Sequence, residues 1–152
     1  GTDGNMGNAL AEQFDDPSQI AGMKGTTPLT DLSSDFTDRL DEVDPNLEDY
    51  NYAGESYDAV IITALAADIA GTDNPTEVAA EINGVTKDGE VCTTYADCLA
   101  LVEDGTDIDY DGISGPLSFG DAGEPSEASF GILVFGDEGI DDAQTTFEFA
   151  QI

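Results

Sequence analysis

Basic residues are scarce in this chain of 152 residues, which has three Lys and Arg against 34 Asp and Glu and a formal net charge of −31. Three basic side chains cannot neutralise a phosphate backbone, so the charge balance excludes nucleic acid as a partner. The same repulsion excludes binding to an anionic membrane surface. We expect most of the carboxylates to form a solvated acidic surface, with a dedicated cation store as the alternative.

Histidine and tryptophan are absent. Without His, a Ser-His-Asp triad, a Cys-His pair and a His-ligated zinc site are all excluded. The number of Asp and Glu residues does not by itself exclude a catalytic pair of carboxylates like that of a glycosidase. However, the sequence offers no Trp to stack against a sugar and few basic groups to stabilise a transition state. We therefore expect a protein that is not an enzyme and that uses no cofactor.

Long hydrophobic runs are also missing, since the longest apolar stretch, residues 59–67, is interrupted by Thr63 and is far shorter than a membrane span. Apolar residues still make up 39% of the sequence. This fraction is sufficient for a hydrophobic core and too high for a disordered acidic tail. The length fits one average domain or part of a larger one.

The chain has two cysteines, Cys92 and Cys98, which lie close together in the sequence VCTTYADC. A metal site would need further soft ligands, and the sequence has no other Cys and no His to supply them. A local disulfide is therefore favoured, and such a bond persists in an oxidising compartment. The alternative is a pair of buried thiols in a cytosolic protein.

Helical spacing of apolar residues dominates the chain before residue 105. Three of the predicted helices cover residues 5–14, 56–70 and 94–102. Two more begin at caps: one is capped by Ser33 and Ser34 and turns Phe36, Leu40 and Val43 inward, and the other is capped by Asn74. The helix at 56–70 is apolar on nearly every side, so we expect it to be buried between other elements. Residues 20–28 are predicted to be extended.

Strand patterns follow residue 105. The predicted strands are residues 113–119, an edge strand because it contains Pro116, then 129–135 and 147–149, with a turn at 136–139. Helices followed by strands predict an α/β protein.

Several stretches resemble one family. The sequences YDAV at 57–60 and ALAA at 64–67 are similar to a helix of type 1 periplasmic binding proteins. YDGISGPLSF at 110–119, followed by Asp121 and Gly123, resembles the G-x-x-G-P-[IL]-x-F-x-x-x-G signature of branched-chain amino acid substrate-binding subunits of ABC transporters. GTDG at 1–4 and GTTP at 25–28 fall where that family has a ligand-loop acid and a hinge crossing.

The fold that this resemblance implies is the C-terminal portion of a two-lobed α/β clamp, the type 1 periplasmic-binding or Venus-flytrap fold. Residues 1–27 would belong to the second lobe, 28–120 to the later part of the first lobe, and 121–152 would return to the second lobe. An isolated fragment of this kind would expose sheet edges, so we expect it to associate or to swap strands.

The function that the resemblance implies is that of an extracytoplasmic solute-binding component of an ABC importer, either periplasmic or lipid-anchored at the cell surface. It would bind a small amino acid such as leucine, isoleucine or valine between the lobes and present it to the membrane permease. Asp3 would pair with the ligand ammonium group. The alternative for Asp3 is an N-cap of the helix beginning at Asn5. Tyr57 and Asp58 are interpreted as helix packing and polarity.

An alternative function depends on Asp107, Asp109 and Asp111, which match the opening of an EF-hand calcium loop. The twelfth position, which should carry a bidentate Glu, is Ser118, and Pro116 disfavours the helix that should follow. A calcium site here would make the chain an acidic calcium-binding extracellular surface module.

Overall fold

The computed structural model describes residues 1–47 and 49–151 and shows a mixed α/β structure, which confirms the predicted class. The α-helices are α1 (Asn8–Ala11), α2 (Ser34–Val43), α3 (Ala53–Ala70), α4 (Pro75–Glu81) and α5 (Tyr95–Glu103). The strands are β1 (Lys24–Pro28), β2 (Glu90–Cys92), β3 (Ile108–Tyr110), β4 (Glu127–Val134) and β5 (Thr146–Gln151). Short 3₁₀ helices cover Asp3–Asn5, Pro17–Ile20 and Asp142–Gln144.

The chain divides into two compact units. The first is discontinuous in sequence, since it is built from Gly1–Ala53 and Ser129–Ala150. The second contains Gly54–Ala128 and, at the end of the described chain, Gln151.

The first unit contains a three-stranded sheet in the order β1-β4-β5. Strand β1 runs antiparallel to β4, with the register Lys24↔Val134 to Pro28↔Phe130. Its small core combines β4 with the N-terminal helical turns and consists of Met6, Ala11, Leu133 and Phe135. Strands β4 and β5 confirm the predicted strands at 129–135 and 147–149. The predicted turn between them is closed by Gly136 N donating to Gly139 O at 2.7 Å.

The second unit contains a parallel pair, β2 and β3, joined through helix α5. The register runs from Glu90↔Ile108 to Cys92↔Tyr110. Buried side chains of α3, α4, α5, both strands and the loops that precede β2 and follow β3 form its core, which consists of Ile62, Leu65, Ala66, Val78, Val85, Cys92, Cys98, Ile108, Tyr110 and Leu117.

The predicted helix caps at Ser33 and Asn74 are confirmed, and each depends on one side-chain oxygen. Ser33 Oγ accepts a hydrogen bond from Phe36 N at the start of α2, and Asn74 Oδ1 accepts one from Thr76 N at the start of α4. These bonds satisfy backbone N–H groups that have no partner within the first turn.

The predicted helix at 5–14 is wrong in extent, because only α1, residues Asn8–Ala11, is α-helical there. Gly7 is extended (φ −141°, ψ 158°) and separates α1 from the preceding 3₁₀ turn. Gly7 therefore caps α1, so Asp3 is not the cap that the alternative interpretation required.

Two burial predictions and one strand prediction are also wrong. Val43 is 86% exposed because it lies in the final turn of α2, and Val60 is 67% exposed, so α3 is not buried on every side.

Residues 113–119 form no strand. Leu117 (φ 60°) and Ser118 (φ 45°) have left-handed backbone conformations that interrupt an extended strand.

No helix in residues 1–47 and 49–151 combines the length and the apolar character needed to cross a membrane.

Candidate functional site

Helix α3 carries a buried carboxylate, that of Asp58, which is 1% exposed. Its two oxygens accept four hydrogen bonds: from Tyr110 Oη at 2.8 Å, Ile113 N at 3.0 Å, Ser114 N at 2.7 Å and Ser114 Oγ at 2.5 Å. None of these donors is a basic side chain. Hydrogen bonds to an ionised acceptor are stronger than neutral ones, so Asp58 holds the chain that follows β3.

The loop held by Asp58 is closely fitted to it. A Cβ atom at Gly112 would collide with the Asp58 carboxylate. Gly112 N donates to Gly115 O at 2.8 Å, and Gly115 N donates back to Gly112 O at 3.2 Å. Farther along, Phe119 N donates to the buried Thr86 Oγ1 at 3.0 Å. This loop is therefore fixed by specific polar contacts at both ends.

The electrostatic effect of this arrangement is greatest on Tyr110, which is fully buried. Burial, the hydrogen bond to Asp58 and the charge of Asp58 together raise the pKa of Tyr110 far above its usual range. Tyr110 therefore acts as a neutral hydrogen-bond donor.

Asp3, the predicted ligand residue, lies in the exposed 3₁₀ turn Asp3–Asn5. Its backbone is left-handed (φ 45°), and its carbonyl oxygen accepts a hydrogen bond from Met6 N at 2.7 Å. Within the described chain its carboxylate has no hydrogen-bond donor. Nothing in the geometry tests a ligand at Asp3, so this role stays a prediction.

Cys92 and Cys98 form a disulfide, with their Sγ atoms 2.04 Å apart. The bond links the end of β2 to α5, and both residues are buried in the core of the second unit. The structure therefore pairs the two cysteines between which the sequence favours a disulfide.

The three aspartates of the predicted calcium loop lie in or beside the extended strand β3. An extended backbone spaces alternate side chains along one face, whereas calcium ligands must converge. Among the residues that the structure describes, no group of three or more metal-ligating side chains is arranged to hold an ion. Burial, followed by the charges of Asp111, Asp88 and Asp107, raises the pKa of Asp109.

The first unit has a cavity of about 330 Å³, which no local pattern of the sequence indicates. Separate parts of the chain contribute its lining, which consists of Leu29, Thr30, Asp31, Leu32, Thr37, Asp49, Tyr50, Asn51, Leu133, Asp142, Thr145 and Phe147. None of the described residues that line it is Lys or Arg. Its polar groups are carboxylates, hydroxyls and one amide, and its apolar walls are leucines and phenylalanine.

Hydrogen bonds of ordinary length fix one side of this cavity. Asp49 Oδ1 accepts a hydrogen bond from Asn51 N at 3.1 Å, and Asn51 Nδ2 donates to Met6 O at 3.1 Å. The hydroxyl of Tyr50 donates to Asp41 Oδ1 at 2.9 Å. The hydrogen bond to Asp41, followed by desolvation and nearby negative charges, raises the pKa of Tyr50.

Comparisons of the chain with models of protein families, with curated proteins and with solved structures found no match. Membership of the family that the sequence resembles therefore stays a prediction.

Proposed function

We propose that the chain is part of an extracytoplasmic solute-binding protein of the type 1 periplasmic class, serving an ABC importer. The protein binds a small amino acid of the leucine, isoleucine or valine type in a two-lobed clamp and presents it to the permease. It works through binding and closure and breaks no bond.

One observation carries this proposal. The two longest stretches that resemble the family, residues 57–67 and 110–119, are distant in sequence but are joined by the hydrogen bonds of Asp58. Asp58 belongs to the first stretch, and its donors Tyr110, Ile113 and Ser114 belong to the second. A chance likeness of two separate segments gives no reason for them to meet at one buried carboxylate, so this contact supports a shared scaffold.

Two further features support the proposal. The Cys92–Cys98 disulfide suits an oxidising, extracytoplasmic compartment. The discontinuous first unit, assembled from both ends of the chain, is consistent with a chain that passes more than once between lobes. The assignment of residues 1–27, 28–120 and 121–152 to lobes remains part of the proposal.

The proposed ligand contact is the carboxylate of Asp3, which is exposed and has no donor within the described chain. A free amino acid needs an anionic partner for its ammonium group, and a charge-assisted hydrogen bond supplies it. Hydroxyl or backbone donors elsewhere in the clamp would hold the ligand carboxylate.

The experiment is a thermal-shift screen of the intact protein against leucine, isoleucine and valine, with calcium and a chelator as separate arms. A ligand at 100 times its Kd stabilises the folded state by about 2.7 kcal/mol. We expect a rise with one amino acid, lost in Asp3→Asn and kept in Asp44→Asn, an exposed aspartate outside the predicted site. Stabilisation by calcium alone, or by no amino acid, would overturn the proposal.

A further inference from the structure

We propose that Asn83 is a modification site, at which the side-chain amide is converted to a carboxylate by reaction with the main chain of Gly84. The conversion releases the turn at residues 120–124 from its contact with Asn83. Asn83 and Gly84 form the one Asn-Gly pair of the sequence. The pair lies in the second unit, away from the proposed ligand residue Asp3, so the inference is independent of the proposed transport function.

The reaction needs no reagent other than water. The main-chain nitrogen of Gly84 attacks Cγ of Asn83 and forms a C–N bond, which closes a five-membered succinimide ring. The bond from Cγ to Nδ2 breaks, and Nδ2 leaves as ammonia with the proton that Gly84 N gives up. Water then opens the ring at either carbonyl. One opening gives aspartate, and the other gives isoaspartate, in which the main chain is longer by one carbon atom.

The residue after an asparagine decides how easily its nitrogen reaches Cγ. Gly84 is exposed and has no side chain to crowd the approach. A Cβ at Gly84 would lie 3.4 Å from Glu81 O, and no other atom of the described chain beyond the adjacent residues would lie within 4 Å. Every other asparagine is followed by a residue with a side chain or by proline, which has no N–H: Asn5, Asn8, Asn46, Asn51 and Asn74.

The fold holds the side chain of Asn83 by one hydrogen bond. Asn83 lies in a turn beyond Glu81, the last residue of α4, and is half-buried. Its Nδ2 donates to Gly120 O at 3.0 Å. A single neutral hydrogen bond contributes little net free energy, so this contact opens often and the amide is then free to turn towards Gly84 N.

The product carboxylate cannot make the contact that the amide makes. It has no N–H to donate to Gly120 O, so two oxygens would face each other. The carboxylate of Glu124 adds to the repulsion, because it lies against Gly120: a Cβ at Gly120 would be 2.9 Å from Glu124 Oε1. Gly120 O keeps its hydrogen bond from Gly123 N at 3.0 Å. The turn therefore stays closed within itself but loses its connection to the end of α4.

The isoaspartate product also disturbs the core of the second unit. Val85 and Thr86 follow the site directly and are fully buried. Val85 O accepts a hydrogen bond from Tyr110 N at 2.8 Å, and Thr86 Oγ1 accepts one from Phe119 N at 3.0 Å. An additional main-chain atom just before these two residues must shift both contacts.

Incubation of the folded full chain at mildly alkaline pH, followed by peptide mass spectrometry and an ammonia assay, tests the reaction. We expect the peptide with Asn83 to gain the mass of the acid, whereas exposed Asn46, which precedes Leu47, stays an amide. Gly84→Ala is the matched variant, because its Cβ fits at 3.4 Å from Glu81 O. It should slow the conversion at least about tenfold, which corresponds to a barrier higher by about 1.4 kcal/mol.

Asn83→Asp and Asn46→Asp test the consequence, since both add one negative charge. Asn83→Asp should lower the midpoint of urea unfolding by about 0.5 M, the size expected for one lost hydrogen bond. It should also shift the NMR signals of residues 120–124, whereas Asn46→Asp, at an exposed position, should do neither. If Asn83→Asp does not fold, Asn83→Ala removes the same hydrogen bond without the added charge.

Three results would overturn the proposal. Asn83 could stay intact in the folded chain while it converts in urea, which would show that the fold protects the site. Equal rates in the parent and in Gly84→Ala would show that Gly84 does not control the reaction. Equal urea midpoints for the variants at 83 and 46 would show that the amide of Asn83 does not hold the turn.

Discussion

The carboxylate of Asp58 on α3 accepts a 2.8 Å hydrogen bond from the hydroxyl of Tyr110 on β3, although 52 positions separate the two residues. Both side chains are buried, with 1% and 0% of their surface exposed. A buried carboxylate without a basic partner is costly unless its oxygens are fully hydrogen-bonded. The four donors from Tyr110, Ile113 and Ser114 meet this requirement, so the pair stabilises the loop and the helix together.

We expect Asp58→Ala to lower the free energy of unfolding by about 3 kcal/mol or more, because it leaves several buried donors without an acceptor. Urea unfolding measures this loss. Asp68→Ala is the matched control, since Asp68 lies on the same helix and accepts a hydrogen bond from Tyr95 Oη, but at an exposed position. The control should lose less than about 1 kcal/mol. Similar losses in both variants would show that the Asp58 network has no special role.

Tyr110 should make the protein sensitive to alkali. Its pKa is raised above the ordinary value of 10.0, so the folded state favours the neutral phenol. This contribution to stability is complete below the unfolded pKa and is lost as the pH rises above it. Free energies of unfolding measured between pH about 8 and about 11.5 should therefore fall. The fall should be smaller in Tyr110→Phe, which keeps Tyr50 and Tyr95 unchanged, and an identical fall in both proteins would refute this assignment.

The glycine at 112 should not tolerate a side chain. An added Cβ would collide with the Asp58 carboxylate, so Gly112→Ala must displace either the loop or Asp58. We expect a loss of about 1–3 kcal/mol, the usual cost of overpacking. Gly4→Ala is the control, because no atom beyond the adjacent residues lies within 4 Å of a Cβ at that position. Thermal unfolding compares the two, and a Gly112→Ala variant as stable as the control would contradict the close fit.

Local features of this fold were predictable from the sequence because each depends on a few neighbouring residues. The caps at Ser33 and Asn74 need one side-chain oxygen and the N–H groups of the next turn. Strand β4 is an apolar run bounded by turn residues, which is a local pattern as well. The disulfide follows from two cysteines that are neighbours in the sequence.

The remaining features depend on contacts between distant residues. Strands β2 and β3 have three residues each, too short for a period, and are defined only by their parallel pairing. The sequence marks Asp58 as an acid in an apolar helix, which is a signal for a buried polar contact. No local pattern indicates that the hydrogen-bond donors to Asp58 lie more than 50 positions away in the sequence. No pattern in the sequence indicates the cavity of the first unit, since separate segments of the chain supply its walls.

Reduction of the disulfide should weaken the second unit. Cys92 and Cys98 are six positions apart, so the bond closes a short loop, and its removal should cost about 2 kcal/mol. Urea unfolding with and without dithiothreitol measures the difference. The double variant Cys92→Ala, Cys98→Ala should not respond to the reductant. An equal response in that variant would mean that dithiothreitol acts elsewhere.

Asp109 should be a residue whose charge opposes folding. Burial raises its pKa above the ordinary 3.8, and the charges of Asp111, Asp88 and Asp107 add to the effect. A raised pKa in a carboxyl group means that its ionised form is less favourable in the folded state, so this penalty is present at neutral pH and disappears on protonation in acid. Asp109→Asn should therefore raise the free energy of unfolding at pH 7 by about a few tenths of a kcal/mol, since the group is partly solvated.

Salt separates the two causes of this penalty. Repulsion among carboxylates is screened at high ionic strength, where the Debye length falls to about 3 Å at 1 M, whereas the cost of burial is not. The gain from Asp109→Asn should shrink at 1 M NaCl without vanishing, because burial is the larger cause. Asp73→Asn, at an exposed position of the same unit, should give little gain at either salt concentration. A gain for Asp109→Asn that disappears completely in salt would make repulsion the sole cause, and a loss of stability would show that the ionised carboxylate has a favourable contact.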